Sequence, residues 1–127
     1  MIYLKTKLYV FDNTGILLVR CIHVPEVRKG CATLGTLVVV IPKKKQLKKA
    51  EEKIDLSLKS KVFLGIICGV KKKIRRKAGY LISFEKNSVI LLTKDYNLIA
   101  RRIVGPVCHE VLKYHFMHEI SALKKTI

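Results

Sequence analysis

Cys108, His109 and Glu110 place a thiol, an imidazole and a carboxylate on three successive residues. These are the groups of a nucleophile, a base and an orienting acid. Successive residues rarely point at one another, however, so Glu110 is not evident as an orienting group for His109, and no glycine-rich nucleophile turn accompanies them. His115, His118 and Glu119 can share one helical face as metal ligands do, but they lack the His-Glu-x-x-His order. The four cysteines (Cys21, Cys31, Cys68 and Cys108) are widely spaced, with no Cys-x-x-Cys pair. That excludes zinc-ribbon spacing and reads as reduced, buried thiols. No Gly-x-x-x-x-Gly-Lys loop is present to cradle a nucleotide phosphate. The chemistry that remains is cationic. Lys71-Lys72-Lys73-Ile74-Arg75-Arg76-Lys77 carries six positive side chains in seven positions, and Lys43, Lys44, Lys45, Lys48 and Lys49 open a second basic segment. Arg28 and Lys29 add a third, smaller group.

Charge dominates the whole chain. Its 127 residues hold 26 Lys and Arg against nine Asp and Glu, a formal net charge of +17, yet half of the residues are hydrophobic. A disordered basic tail lacks that apolar content. A folded core this far from neutrality calls for a polyanion, and nucleic acid is the commonest. Five Tyr, four Phe and no Trp argue against an extended stacking platform and for phosphate and sugar contacts. No cofactor and no small-molecule substrate are expected. The longest apolar run, 62–70, is nine residues, too short for a membrane-spanning helix. No secretory signal or amphipathic transit peptide is visible at the start. Lysine and isoleucine are abundant and alanine scarce, a bias expected of an A/T-rich genome.

The elements that must hold these cations are short strands. Apolar segments at 6–11, 16–24, 37–41, 62–70, 80–84, 89–92 and 99–104 alternate with turn signals. Asp12-Asn13-Thr14-Gly15 is a turn in which Gly15 suits positive φ and Asp12 or Asn13 can bond the backbone ahead. Pro25, Pro42 and Gly105-Pro106 are expected to stop strands. Residues 71–77 join two strands as a displayed basic loop closing at Gly79. Residues 43–61 form a surface extension. Leu112, Phe116, Ile120 and Leu123 recur at helical spacing, which predicts helix over 109–123 packed on the rest. The sum is a mainly β chain: a small closed barrel over about 1–107, a basic extension over about 42–61 and a helical tail over about 108–127.

Several strings carry a resemblance. Thr6-x-Leu8-x-Val10-x-Asp12-Asn13-x-Gly15 is followed by Val19-x-Cys21-Ile22-x-Val24. Next come Lys72-Lys73-Ile74-Arg75-Arg76-x-x-Gly79 and Ile82-x-Phe84-x-x-Asn87-x-x-Ile90-Leu91-Leu92. Last is Ile99-x-x-Arg102-Ile103-x-Gly105-Pro106-Val107-x-x-Glu110, with Phe116-Met117-x-x-Ile120 beyond it. In this order, over nearly the whole chain, they resemble the universal large-subunit ribosomal protein fourteen family in its bacterial form. The resemblance implies a five-stranded barrel with a protruding hairpin and a short helical C-terminus. It implies a non-enzymatic role on the intersubunit face, bound to large-subunit ribosomal RNA and reaching small-subunit RNA across bridges. It also implies large-subunit proteins nineteen and three as neighbours. A ribosome-silencing factor would dock around Arg101, Arg102, Met117 and His118.

The chain departs from that pattern in places. The stretch between Ile41 and Val62 is long and lysine-rich, Ala78 stands before the glycine of the basic turn, Cys68 replaces a branched aliphatic residue, and His118 follows Phe-Met. Together with the compositional bias, this drift favours a mitochondrial ribosome, with an organelle-encoded gene as one origin. A plastid or an A/T-rich bacterium is the alternative. The rival reading is a free single-strand-binding barrel of cold-shock type using Tyr9, Tyr80 and Phe84, although their alternation reads as core.

Overall fold

The computed structural model describes residues 2–25, 31–45, 62–100 and 102–113. Seven strands occur in them: β1 (Lys7–Val10), β2 (Ile16–His23), β3 (Leu37–Lys45), β4 (Phe63–Gly69), β5 (Ile74–Arg75), β6 (Leu81–Ile82) and β7 (Ser88–Leu92), followed by a 3-10 turn at His109–Lys113. Five of them close a barrel in the order β1-β2-β3-β4-β7, and β5 and β6 form a separate two-stranded ribbon. The barrel closes where β1 runs parallel to β7, with Tyr9 opposite Ser88 and Val10 opposite Val89. Closure gives each of these five strands a neighbour on both sides.

Burial explains why β4 reads as an unbroken apolar run. A strand covered on one face alternates; a strand covered on both does not. One face of β4 points into the barrel. The other lies beneath the 33–36 turn and the 107–111 segment, through Ile67 N–H to the Thr36 carbonyl at 3.1 Å and Cys108 N–H to the Cys68 carbonyl at 2.9 Å. Ile66, Ile67 and Cys68 are fully buried with Val107, Cys108 and Val111 in one core cluster. Gly35 lets these layers meet: a Cβ there would sit 3.0 Å from the Glu110 carbonyl oxygen, and its φ of +74° also disfavours a side chain.

The β1–β2 turn forms as its residues predict. Gly15 has φ 88°. Asp12 Oδ1 accepts from the Thr14 hydroxyl at 2.7 Å and from its backbone N–H at 3.3 Å. Its Oδ2 accepts from the Leu91 N–H at 2.9 Å, which pins the turn to β7.

Three expectations change. β3 does not stop at Pro42 but runs to Lys45. Pro42 lies opposite Val19, beside register shifts in the β2–β3 ladder, and a bulge tolerates a residue with no N–H to donate. Over 99–104, the described residues 99, 100 and 102–104 do not form a strand. Both edges of β1 are already taken, by β2 and β7, so this segment attaches beyond the rim, through a bridge between Asp12 and Ile103 with a 3.1 Å bond from Asn13 N–H to the Arg102 carbonyl and a 2.6 Å bond from Val104 N–H to the Phe11 carbonyl. The 71–77 segment is itself half of a hairpin rather than a plain loop. Of the helix expected over 109–123, residues 109–113 form the 3-10 turn; 114–123 lie outside the described residues.

Candidate nucleic-acid interface

The basic ribbon is a two-faced hairpin. Ile74 pairs with Ile82 and Arg75 with Leu81. Ile82 is buried and Ile74 packs partly buried against the core, which turns Arg75 and Leu81 outward. The hairpin closes through Arg76 N–H to the Tyr80 carbonyl and Gly79 N–H to the Arg76 carbonyl, both at 3.0 Å. At its base, Lys71 N–H donates to Asn87 Oδ1 at 2.8 Å. The backbone thus holds the cations in fixed register, as phosphate positioning requires.

The seven residues are not equivalent. Lys71, Lys72, Lys73, Arg75 and Lys77 are exposed. Arg76 is not: its Nη2 lies 2.9 Å from Glu110 Oε2, with the two side chains 16% and 35% exposed. It clamps the ribbon to the 3-10 turn. Sequence spacing groups Arg76 with the phosphate contacts, and Glu110, 34 residues away, carried no signal as its partner.

The remaining expected contacts are described only in part. Lys43 and Lys44 are exposed at the end of β3, and the backbone of Lys45 continues that strand. Arg28, Lys29, Lys48 and Lys49 lie outside the described residues, as do Arg101, Met117 and His118. Arg102 is exposed, and its carbonyl accepts from Asn13 N–H at 3.1 Å. Sequence patterning also passed over Lys7 and Lys86, which the fold brings close to Lys71. Their signal was there in the alternation of Lys7 and Tyr9 about buried Leu8.

The thiol and the imidazole that suggested catalysis lie in different environments. Cys108 is buried and its thiol faces the Ile67 carbonyl at 3.8 Å, whereas His109 is exposed. Burial, reinforced by Glu110, pushes the Cys108 thiol up to about 12; burial pushes Cys68 up to about 12 as well, against a hydrogen bond to Ser88 Oγ. Neither is a thiolate near neutral pH, so neither is a ready nucleophile. Burial also raises the Asp12 carboxyl, partly offset by its three hydrogen bonds. Among the described residues no three His, Cys, Asp or Glu side chains gather as metal ligands, and no helix is long and apolar enough to cross a membrane.

The closed five-stranded barrel with a short C-terminal 3-10 turn agrees with the fold that the resemblance implies. The sequence profile described as ribosomal protein L14p/L23e matches residues 1–127. The chain belongs to the ribosomal protein L14p/L23e family. It is similar to the large ribosomal subunit protein uL14m of Dictyostelium discoideum, with 34% identity over 130 residues covering the whole of both chains. As a family member it is a structural constituent of the large ribosomal subunit, its partners are ribosomal RNA and ribosomal proteins, and its role is non-enzymatic. The free cold-shock-type reading is not favoured. Of that reading's three aromatics, Phe84 is buried, but Tyr9 and Tyr80 are exposed and are not core.

Proposed function

We propose that this chain is a single-domain constituent of a mitochondrial large ribosomal subunit. It grips large-subunit RNA chiefly through Lys71, Lys72, Lys73, Arg75 and Lys77. The observation that carries this is the ribbon: five exposed cations on a hairpin anchored at its base, at its apolar face and through Arg76 to Glu110. Its mechanism is electrostatic. Each phosphate neutralised releases counterions, while the barrel keeps the donors in place. Lys43, Lys44, Lys45, Lys48 and Lys49, with Arg28 and Lys29, are the further phosphate contacts in this reading, on their charge alone. The mitochondrial reading rests on the drift described above and on the likeness to a mitochondrial relative.

The finer partners follow the family resemblance. Proteins nineteen and three of the large subunit flank the barrel, and small-subunit RNA is reached across a bridge. A ribosome-silencing factor meets Arg101, Arg102, Met117 and His118. Five phosphate contacts give log K against log salt a slope of about −3.5 to −4.5. The test is co-sedimentation of the full-length chain with large subunits through a high-salt wash, alongside that slope on purified structured RNA. A flat salt response overturns the electrostatic mechanism. Reversing Arg101 and Arg102 to Glu should abolish pull-down of the cognate factor and spare assembly; the opposite result makes that face an RNA contact.

A further inference from the structure

A second cationic feature lies beside the ribbon, on the outer surface of β1. Lys7 and Tyr9 point outward there, and Leu8 between them is fully buried. Lys7 stands directly across from Arg20 on β2, although facing strand positions lose stability when they carry like charges. Arg20 Nε is shielded from solvent and has no hydrogen-bond partner among the described residues, which is unusual for a buried donor. Tyr9 is 45% exposed, and the Lys86 ammonium lies 4.7 Å from its ring centroid.

These residues border one open cleft, whose lining includes Lys7, Tyr9, Lys71, Phe84, Lys86 and Asn87. Asn87 ties its sides together: its side chain accepts from Lys71 N–H at 2.8 Å, and its carbonyl accepts from Tyr9 N–H at 2.9 Å. Phe84 is buried beside it. Three lysines face one acid, Glu85, and among the described residues none of them is in an ion pair.

We propose that this cleft holds one unpaired nucleotide of RNA, its base on the Tyr9 ring and its phosphates on Lys7, Lys71 and Lys86. This rests on the RNA-binding role proposed above and adds a position that takes a flipped-out or single-stranded base. A paired base keeps both faces stacked and leaves the ring unused; an unpaired base has a free face to offer. In the free protein the Lys86 ammonium occupies the negative face of the ring. On binding, the base takes that face and the flexible lysine swings to the phosphate. This is a single position, not the aromatic platform of a single-strand-binding barrel.

The experiment uses the full-length chain with two probes, a ten-nucleotide single-stranded RNA and a duplex RNA without loops. Tyr9→Ala should weaken the single-strand complex roughly 5- to 150-fold, the range for losing one base–aromatic stack, and leave its salt slope and the duplex affinity unchanged. Tyr9→Phe, which keeps the ring, should bind as the native chain does. Lys7→Gln with Lys86→Gln should reduce the single-strand slope by about 1.4. Arg75→Ala weakens both probes and serves as the reference. Unchanged single-strand affinity in Tyr9→Ala, with Arg75→Ala still weakening both probes, overturns the nucleotide cleft and leaves the ribbon reading intact. Equal loss on both probes also overturns it, since the ring then supports the fold rather than a base. Native affinities for RNA together with lost co-sedimentation make the cleft a protein contact and overturn it too. A native chain that binds neither probe in a salt-dependent way fails the RNA-binding reading itself.

Discussion

Arg75 and Arg76 are adjacent, identical in type and part of one basic run, yet their substitution should fail in different ways. Arg76→Ala removes the 2.9 Å contact to Glu110. Fully exposed ion pairs contribute roughly 0.2–1 kcal/mol, and breaking a fully buried one costs about 3–5 kcal/mol. At 16% and 35% exposure this pair lies between, and hydrogen bonds to charged groups suggest about 1.5–3 kcal/mol. For a chain of this length the unfolding entropy is such that ~4 °C of melting temperature accompanies each kcal/mol. Arg76→Ala should therefore melt about 6–12 °C lower. Glu110→Gln should lose part of the same increment, and the double variant should lose less than the two single losses combined, because both remove one interaction.

Arg75→Ala should do the reverse. Its side chain is exposed, so stability should stay within about 0.5 kcal/mol of the native chain, while the RNA salt slope falls by roughly 0.9. The assays are calorimetric or circular-dichroism melts and RNA titrations over a salt series. If Arg76→Ala melts with the native chain and loses as much salt slope as Arg75→Ala, the clamp is wrong and both arginines serve RNA.

Other outcomes follow from the fold. Gly15 at φ 88° makes Gly15→Val costlier than Gly15→Asn by about 1–2 kcal/mol, measured by denaturant unfolding; equal stability would count against the turn. Asp12→Asn replaces an acceptor by a donor among the Leu91 and Thr14 groups and should cost about 1–3 kcal/mol. Because burial raises the Asp12 carboxyl above 3.8, the fold holds that proton more tightly than the unfolded chain. Its contribution to stability is complete below 3.8 and declines as pH rises through the folded value; Asp12→Asn should lack this acid-side dependence. The Cys68 and Cys108 thiols titrate near 9 unfolded and about 12 folded, so stability should fall as pH rises through that interval. A thiol-alkylating reagent at pH 8, read by peptide mass spectrometry, should label half-buried Cys31 before either of them.

What the sequence makes legible is what depends on local pattern. The turn at 12–15, the strands at 16–23 and 63–69 and the display of the cations at 71–77 follow from alternation, turn residues and charge, each read within a few positions; that these cations form half of a hairpin does not. What it hides depends on who the neighbours are. The segment 99–104 has strand composition, but its described residues form no strand, since β1 offers no free edge and that is a fact of barrel closure. Pro42 reads as a stop and is not one, because the bulge that accommodates it belongs jointly to β2 and β3. Tyr9 alternates like a core residue and faces outward, because the side of β1 that meets the core is set by its pairing with β2 and β7. The interface divides in the same way. Charge density finds the ribbon, but only the 3-10 turn, folded back over β4, distinguishes an arginine that holds the ribbon from one that the ribbon displays. A run of six cations is therefore not six equal contacts: the protein uses one of them to fix the direction in which the others point.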